Sequence, residues 1–183
     1  MIVEHFFENP LQEQQLVFTF SEGPGATRYE QWDSHIARTG KKAVDFIYPE
    51  SNSRQLFFTE VKDLLTITRE GKFHKGAYSI TLAENVAQKV KDSFSGFDGV
   101  GEANPVEEQN FAKETGTYTR WVVFHWEFNS ATSVSARKTS MMLMKQKLRQ
   151  LLHGKCSQIR IENMELNPSA IWSVKRAETN IAS

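Results

Sequence analysis

The sequence predicts an α/β domain, a mixed central β-sheet flanked by helices in two or three layers. Two observations carry that expectation. Short runs of β-branched and aromatic residues alternate with segments of helical period, in the order strand, helix, two hairpin strands, helix, strand, helix, strand. The composition is that of an ordinary globular chain, 39% hydrophobic and 24% charged with 13 Phe, and it holds neither a repeat nor a low-complexity tract. At 183 residues the chain is expected to form one domain over 1–183, with its core over about 16–128 and a C-terminal helix and strands over 138–175.

Leu16 to Phe20 (LVFTF) reads as a short strand, and the Gly-Pro-Gly within Ser21 to Ala26 as a turn. Tyr29, Trp32 and Ile36 fall at three- and four-residue spacing, the stripe of a helix over Thr27 to Arg38 with Thr27 as N-cap and Gly40 as stop. Ala43 to Tyr48 and Leu56 to Val61 form an antiparallel hairpin about a Pro49-to-Arg54 turn. Lys72 to Ser79 is polar and reads as a loop. Thr81 and Glu84 make a capping box for a helix over Leu82 to Phe97, whose stripe is Leu82, Val86, Val90 and Phe94. Gly101 to Gly116 is polar enough to predict a mobile loop. Tyr118 to Phe128 (YTRWVVFHWEF) is the strongest strand signal of the chain. A helix rich in Met, Leu and Lys follows over Ser140 to His153, then strands at Ile159 to Leu166 and Ala170 to Val174.

The 22 basic and 22 acidic residues cancel. That argues against a general polyanion binder, whose affinity comes from an excess of Lys and Arg. It accommodates a nuclease, in which an acidic metal site offsets local basic patches such as Lys41-Lys42, Arg69 to Lys75 and Arg137-Lys138. Each patch alone reads equally as solvated surface charge. Cys156 is the single cysteine, which rules out an intrachain disulfide and fits a reducing, cytoplasmic setting. The five His lack zinc-finger spacing. No apolar run approaches the roughly 20 residues that span a bilayer, so no membrane partner is expected. The opening MIVEHFFENP has neither the basic segment nor the apolar core of a secretory signal. Without a GxxxxGK loop, ATP-driven work is not expected.

The hairpin holds the chemistry. Asp45 stands among Ala43, Val44, Phe46 and Ile47, and Glu60-Val61-Lys62 closes the run Leu56-Phe57-Phe58-Thr59. Side chains alternate along a strand, so Glu60 and Lys62 share a face and Val61 takes the other. Carboxylates among apolar neighbours are costly unless something offsets their charge. A divalent cation held by Asp45 and Glu60, with the Val61 carbonyl as a third ligand and Lys62 beside it, offsets it and suits phosphodiester hydrolysis. Lys62 would orient a water or stabilise transition-state charge. The same residues also fit a solvated strand-end ion pair.

Val44-Asp45-Phe46 followed by Phe58-Thr59-Glu60-Val61-Lys62-Asp63 resembles the PD-(D/E)xK nuclease superfamily, closest to a bacterial branch with an EVKD signature. The resemblance covers roughly Thr27 to Gly99 plus the strand at Tyr118 to Phe128. Val44 replaces the proline that usually precedes the aspartate. The resemblance implies a restriction-endonuclease-like core and cleavage of nucleic acid, with DNA the expected substrate and Mg²⁺ or Mn²⁺ the cofactor. It makes Asp45 and Glu60 metal ligands and Lys62 the catalytic lysine. Some branches add an acid from the preceding helix, for which Glu30 and Asp33 compete and Glu30, beside Tyr29, is preferred. Others add a Gln or Gln-Lys from the following helix, a place filled here by Gln88 and Lys89. A catalytically idle binding module on the same fold is the alternative.

The remaining candidates read as structural. His74 and Lys75 lie in a loop after the active strand, within reach of a phosphate. His125 alternates within an aromatic strand as a satisfied sheet-face residue. Ser133 and Ser135 lack a Gly-x-Ser-x-Gly elbow, and Cys156 lacks a His partner. A homodimer is expected to match the two strands of a duplex, through exposed aromatics of Tyr118 to Phe128 or through the Met141-Met142-Leu143-Met144 helix.

Overall fold

The computed structural model describes residues 3–7, 14–20, 26–32, 42–64, 77–128 and 131–178. In chain order these form β1 (Val3–Phe7), β2 (Gln14–Phe20), a 3₁₀ turn (Tyr29–Gln31), β3 (Phe46–Glu50), β4 (Gln55–Asp63), α1 (Ala77–Asp98), α2 (Val106–Thr115), β5 (Thr119–Glu127), α3 (Val134–Leu151), β6 (Gln158–Glu162) and β7 (Trp172–Glu178). The central sheet is mixed, as expected, with order β3-β4-β5-β6. β3 and β4 pair antiparallel, while β4–β5 and β5–β6 are parallel. A second sheet, β1-β2-β7, is antiparallel throughout.

Both faces of the central sheet are buried, which is why Leu56-Phe57-Phe58 and Val122-Val123-Phe124 are apolar without alternation. Phe58, Val122 and Phe124 meet Val86, Val90 and Phe94 of α1 and Met144 and Leu148 of α3 on one face. On the other, Phe46, Tyr48, Phe57 and Val123 meet Leu16, Phe18 and Phe20 of β2 and Trp172 of β7. The layers are therefore helices, mixed sheet and antiparallel sheet. The mixed sheet flanked by helices is as expected, and the second flank is covered by the antiparallel sheet. No helix among the described residues is long and apolar enough to cross a membrane.

Several boundaries differ from the sequence expectations for local reasons. Thr27 does not cap a helix: its backbone bridges Ile47 in both directions, at 2.8 and 2.9 Å, extending the sheet past β3. Among the described residues of that segment, the turn Tyr29–Gln31 is helical; 33–41 lie outside the described residues. Thr81 is interior to α1, which starts at Ala77, so the capping box is not used. The polar stretch expected to be a mobile loop holds α2, because Phe111 and Ala112 pack on the helix-side core. α2 stops at Gly116, where a Cβ would stand 2.7 Å from the Ala112 carbonyl oxygen. α3 starts earlier than expected, at Val134, and the Ser133 hydroxyl accepts from Ala136 N at 3.3 Å as its cap. Pro49 sits within β3, an edge strand where its missing donor is tolerated.

Candidate active site

β3 and β4 bring two carboxylates to the helix-covered face. Phe46 and Thr59 are the last paired residues of the hairpin. Just beyond them Asp45 Oδ2 accepts a hydrogen bond from Val61 N at 2.6 Å, so a side chain continues where the ladder ends and fixes the carboxylate. Glu60 alternates with Phe58 on the same face. From α1, the Lys89 ammonium donates to Glu60 Oε1 at 2.6 Å and stands 3.9 Å from Asp45 Oδ1. One turn further, the Ser93 hydroxyl accepts from Val44 N at 2.9 Å, and the Ser93 carbonyl accepts from the buried Tyr29 hydroxyl at 3.0 Å. Ser93 thus locks α1, and Lys89 with it, to the residue before Asp45.

The electrostatics follow from burial. The Glu60 side chain is only 5% exposed, and its Oε2 is buried without a hydrogen-bond partner. Desolvation pushes its pKa up to about 8, helped by the neighbouring Asp45 charge and opposed by Lys89. Desolvation also raises Asp45, to about 6, against the pull of Lys89 and the Val61 N–H. Burial alone would lower the Lys89 ammonium, but Glu60, Asp45 and Glu30 outweigh it and hold it above the ordinary lysine value.

The expected site residues divide accordingly. Asp45 and Glu60 are brought together. Val61 joins through its backbone N–H. Lys62 is half-buried and its charge acts on both carboxylates. Glu30 is exposed but acts on Asp45 and Lys89 from the 3₁₀ turn. Gln88 is not brought in: it is exposed and donates to Asp92 Oδ1 at 2.9 Å, one turn along its own helix. Its neighbour Lys89 enters instead, because successive helical residues diverge by about 100°. Asp33, His74 and Lys75 lie outside the described residues. Ser93 went unnoticed in the sequence, where a serine on an amphipathic helix carries no distinguishing signal.

The two carboxylates leave oxygens open that suit a hard divalent cation. Glu60 Oε2 is an orphaned buried acceptor, and Asp45 Oδ1 accepts no hydrogen bond from a described residue. Among the described residues no group of three or more His, Cys, Asp or Glu is arranged around a metal position. A two-carboxylate site remains, and Mg²⁺ commonly takes one or two carboxylates and keeps several waters.

The opposite face of the central sheet carries a different polar cluster. His125 is fully buried, edge-on to Phe18, with Nε2 2.9 Å from Glu127 Oε1 but not aligned for a hydrogen bond. Glu127 accepts from Met164 N at 2.9 Å and from Asn163 Nδ2 at 3.1 Å. Asn163 also donates to the Trp126 carbonyl and accepts from Glu165 N and Leu166 N. Asp63 receives both terminal nitrogens of Arg176, at 2.8 and 3.1 Å. Burial raises Glu162, opposed by His125 and Ser169. The β5 aromatics offered as a dimer surface are not exposed: Val122 to Phe128 are buried. Compared with family models, curated proteins and solved structures, the chain matches none.

Proposed function

We propose that the protein is a metal-dependent nuclease, built on a restriction-endonuclease-like core and hydrolysing phosphodiester bonds of DNA in a reducing, cytoplasmic setting. The observation that carries this reading is the orphaned Glu60 Oε2, placed beside Asp45 with a lysine fixed against both. Bound Mg²⁺ or Mn²⁺ supplies an activated water and neutralises phosphate charge. Asp45 and Glu60 hold the ion. Lys89, locked by Ser93, and Lys62, on the Glu60 face, place positive charge where the phosphate gains negative charge. Glu30 adjusts the field from the side.

The test is cleavage of single- and double-stranded DNA and RNA with Mg²⁺ or Mn²⁺, alongside Glu60→Gln, Lys62→Ala and Lys89→Ala. Metal-dependent cleavage lost in the variants is the expected result. No cleavage and no calorimetric metal binding would defeat this reading in favour of an idle binding module.

A further inference from the structure

The chain is neutral overall, but α3 is not. Val134–Leu151 carries Arg137, Lys138, Lys145, Lys147 and Arg149 and neither Asp nor Glu. Arg137 pairs with Glu165 at 2.5 Å. Lys138, Lys145, Lys147 and Arg149 form no ion pair with a described residue. The apolar stripe Met141, Met144 and Leu148 is committed to the core. Lys138, Met142, Gln146, Arg149 and His153 therefore face outward at helical spacing. A groove of about 530 Å³ follows this face, lined by Met142, Lys145, Gln146, Arg149, Gln150 and His153.

The placement connects this face to the carboxylates. α3 joins the parallel strands β5 and β6 and packs beside α1 on the same face of the central sheet as Glu60. It starts at the sheet end where Glu60 and Lys62 stand, and its 18 residues run back about 27 Å at about 1.5 Å per residue.

We propose that the outer face of α3 is a docking track for the sugar-phosphate backbone of the nucleic-acid substrate. This rests on the nuclease reading and adds a binding surface to it. A row of unpaired cations matches a row of phosphates and gives sequence-independent affinity. Gln146 and Gln150 add amide donors, and Met142 offers an adaptable apolar contact for sugars. Other occupants fit less well. A second copy docked by two-fold symmetry would set the same cations against each other. A lipid surface needs an apolar helix face, and beyond the core-facing stripe only Met142 and Leu143 are exposed along the middle of α3.

The test is fluorescence anisotropy of a short labelled DNA duplex and single strand in EDTA, across a salt series. Lys145→Gln/Arg149→Gln is compared with a control of equal charge loss on other surfaces, Lys113→Gln/Lys175→Gln. The expected result is about a tenfold loss of affinity in the α3 variant at low salt. The slope of log affinity against log salt should become shallower by about two, while the control binds like the parent. Equal binding by the α3 variant and the control overturns the track; if the parent still cleaves with metal, the nuclease reading survives. No oligonucleotide binding by the parent, or binding only to anionic vesicles, an acidic peptide or itself, overturns the track as well. In that case metal-dependent cleavage decides the nuclease reading separately.

Discussion

The acids nearest the β4 end are buried differently on the two faces of the central sheet, although each face also keeps one buried carboxylate oxygen without a hydrogen-bond partner, on Glu60 and on Glu162. On the strand-covered face, Asp63 has both oxygens taken by Arg176, and Glu127 has both taken by Asn163 and Met164 N. On the helix-covered face, Asp45 and Glu60 share one lysine and one backbone N–H, and Glu60 Oε2 has nothing. A carboxylate whose oxygens are all satisfied holds structure together. One left with an open oxygen costs stability and is free to bind something.

The largest effect that would break this contrast is on cleavage. Glu60→Gln, Asp45→Ala and Lys89→Ala should each reduce the metal-dependent rate by about 10²–10³-fold or more, with near-parental circular dichroism. Rates within a factor of a few would remove the helix-covered face from the chemistry. Next comes stability on the other face. Arg176→Ala leaves Asp63 buried without its partner and should cost about 3 kcal/mol in urea unfolding. Asn163→Ala, which removes several buried hydrogen bonds, should cost a similar amount, about 3 kcal/mol. Both should leave the chemistry of the carboxylate site in place.

A pH series sharpens the comparison further. In metal-free protein Glu60 keeps its proton up to about 8, against an ordinary 4.5, and Asp45 up to about 6, against 3.8. Between the ordinary and folded values the folded state binds more protons than the unfolded chain, so stability falls as pH rises from about 4 to about 8. Glu60→Gln should flatten that fall and raise the melting temperature near pH 8. Mg²⁺ should also raise it there, by mass action, with proton release seen as buffer-dependent binding enthalpy. A flat parental profile without metal would contradict the proposed burial cost. The smallest effect belongs to Gln88→Ala, on the exposed side of α1: within about 0.5 kcal/mol in stability, and no change in cleavage rate.

The sequence made legible what depends on period two. Asp45, Glu60 and Lys62 could be placed because alternation along a hairpin fixes which side chains share a face. The choice between Gln88 and Lys89 could not be made, because adjacent helical residues differ only in which one tertiary packing turns inward. α2 was hidden because Phe111 and Ala112 are a short apolar patch among charged residues, and only the completed core shows what they meet. The antiparallel sheet on the second flank was hidden for a related reason. β2 pairs with β7 from the far end of the chain, and no local pattern announces such a partner. The family resemblance rests on the hairpin motif, and the cleavage assays bear on it directly.

The ion pair between Asp63 and Arg176 spans 113 residues of sequence. Asp63 is the residue after Lys62, so the strand bearing the acid and lysine receives its final clamp only once β7 has been made. During synthesis the hairpin emerges early, while the β7 strand that anchors it is still inside the ribosome. Order of translation thus acts as a timer: the strand that carries Glu60 and Lys62 is clamped at Asp63 only after Arg176 has been made.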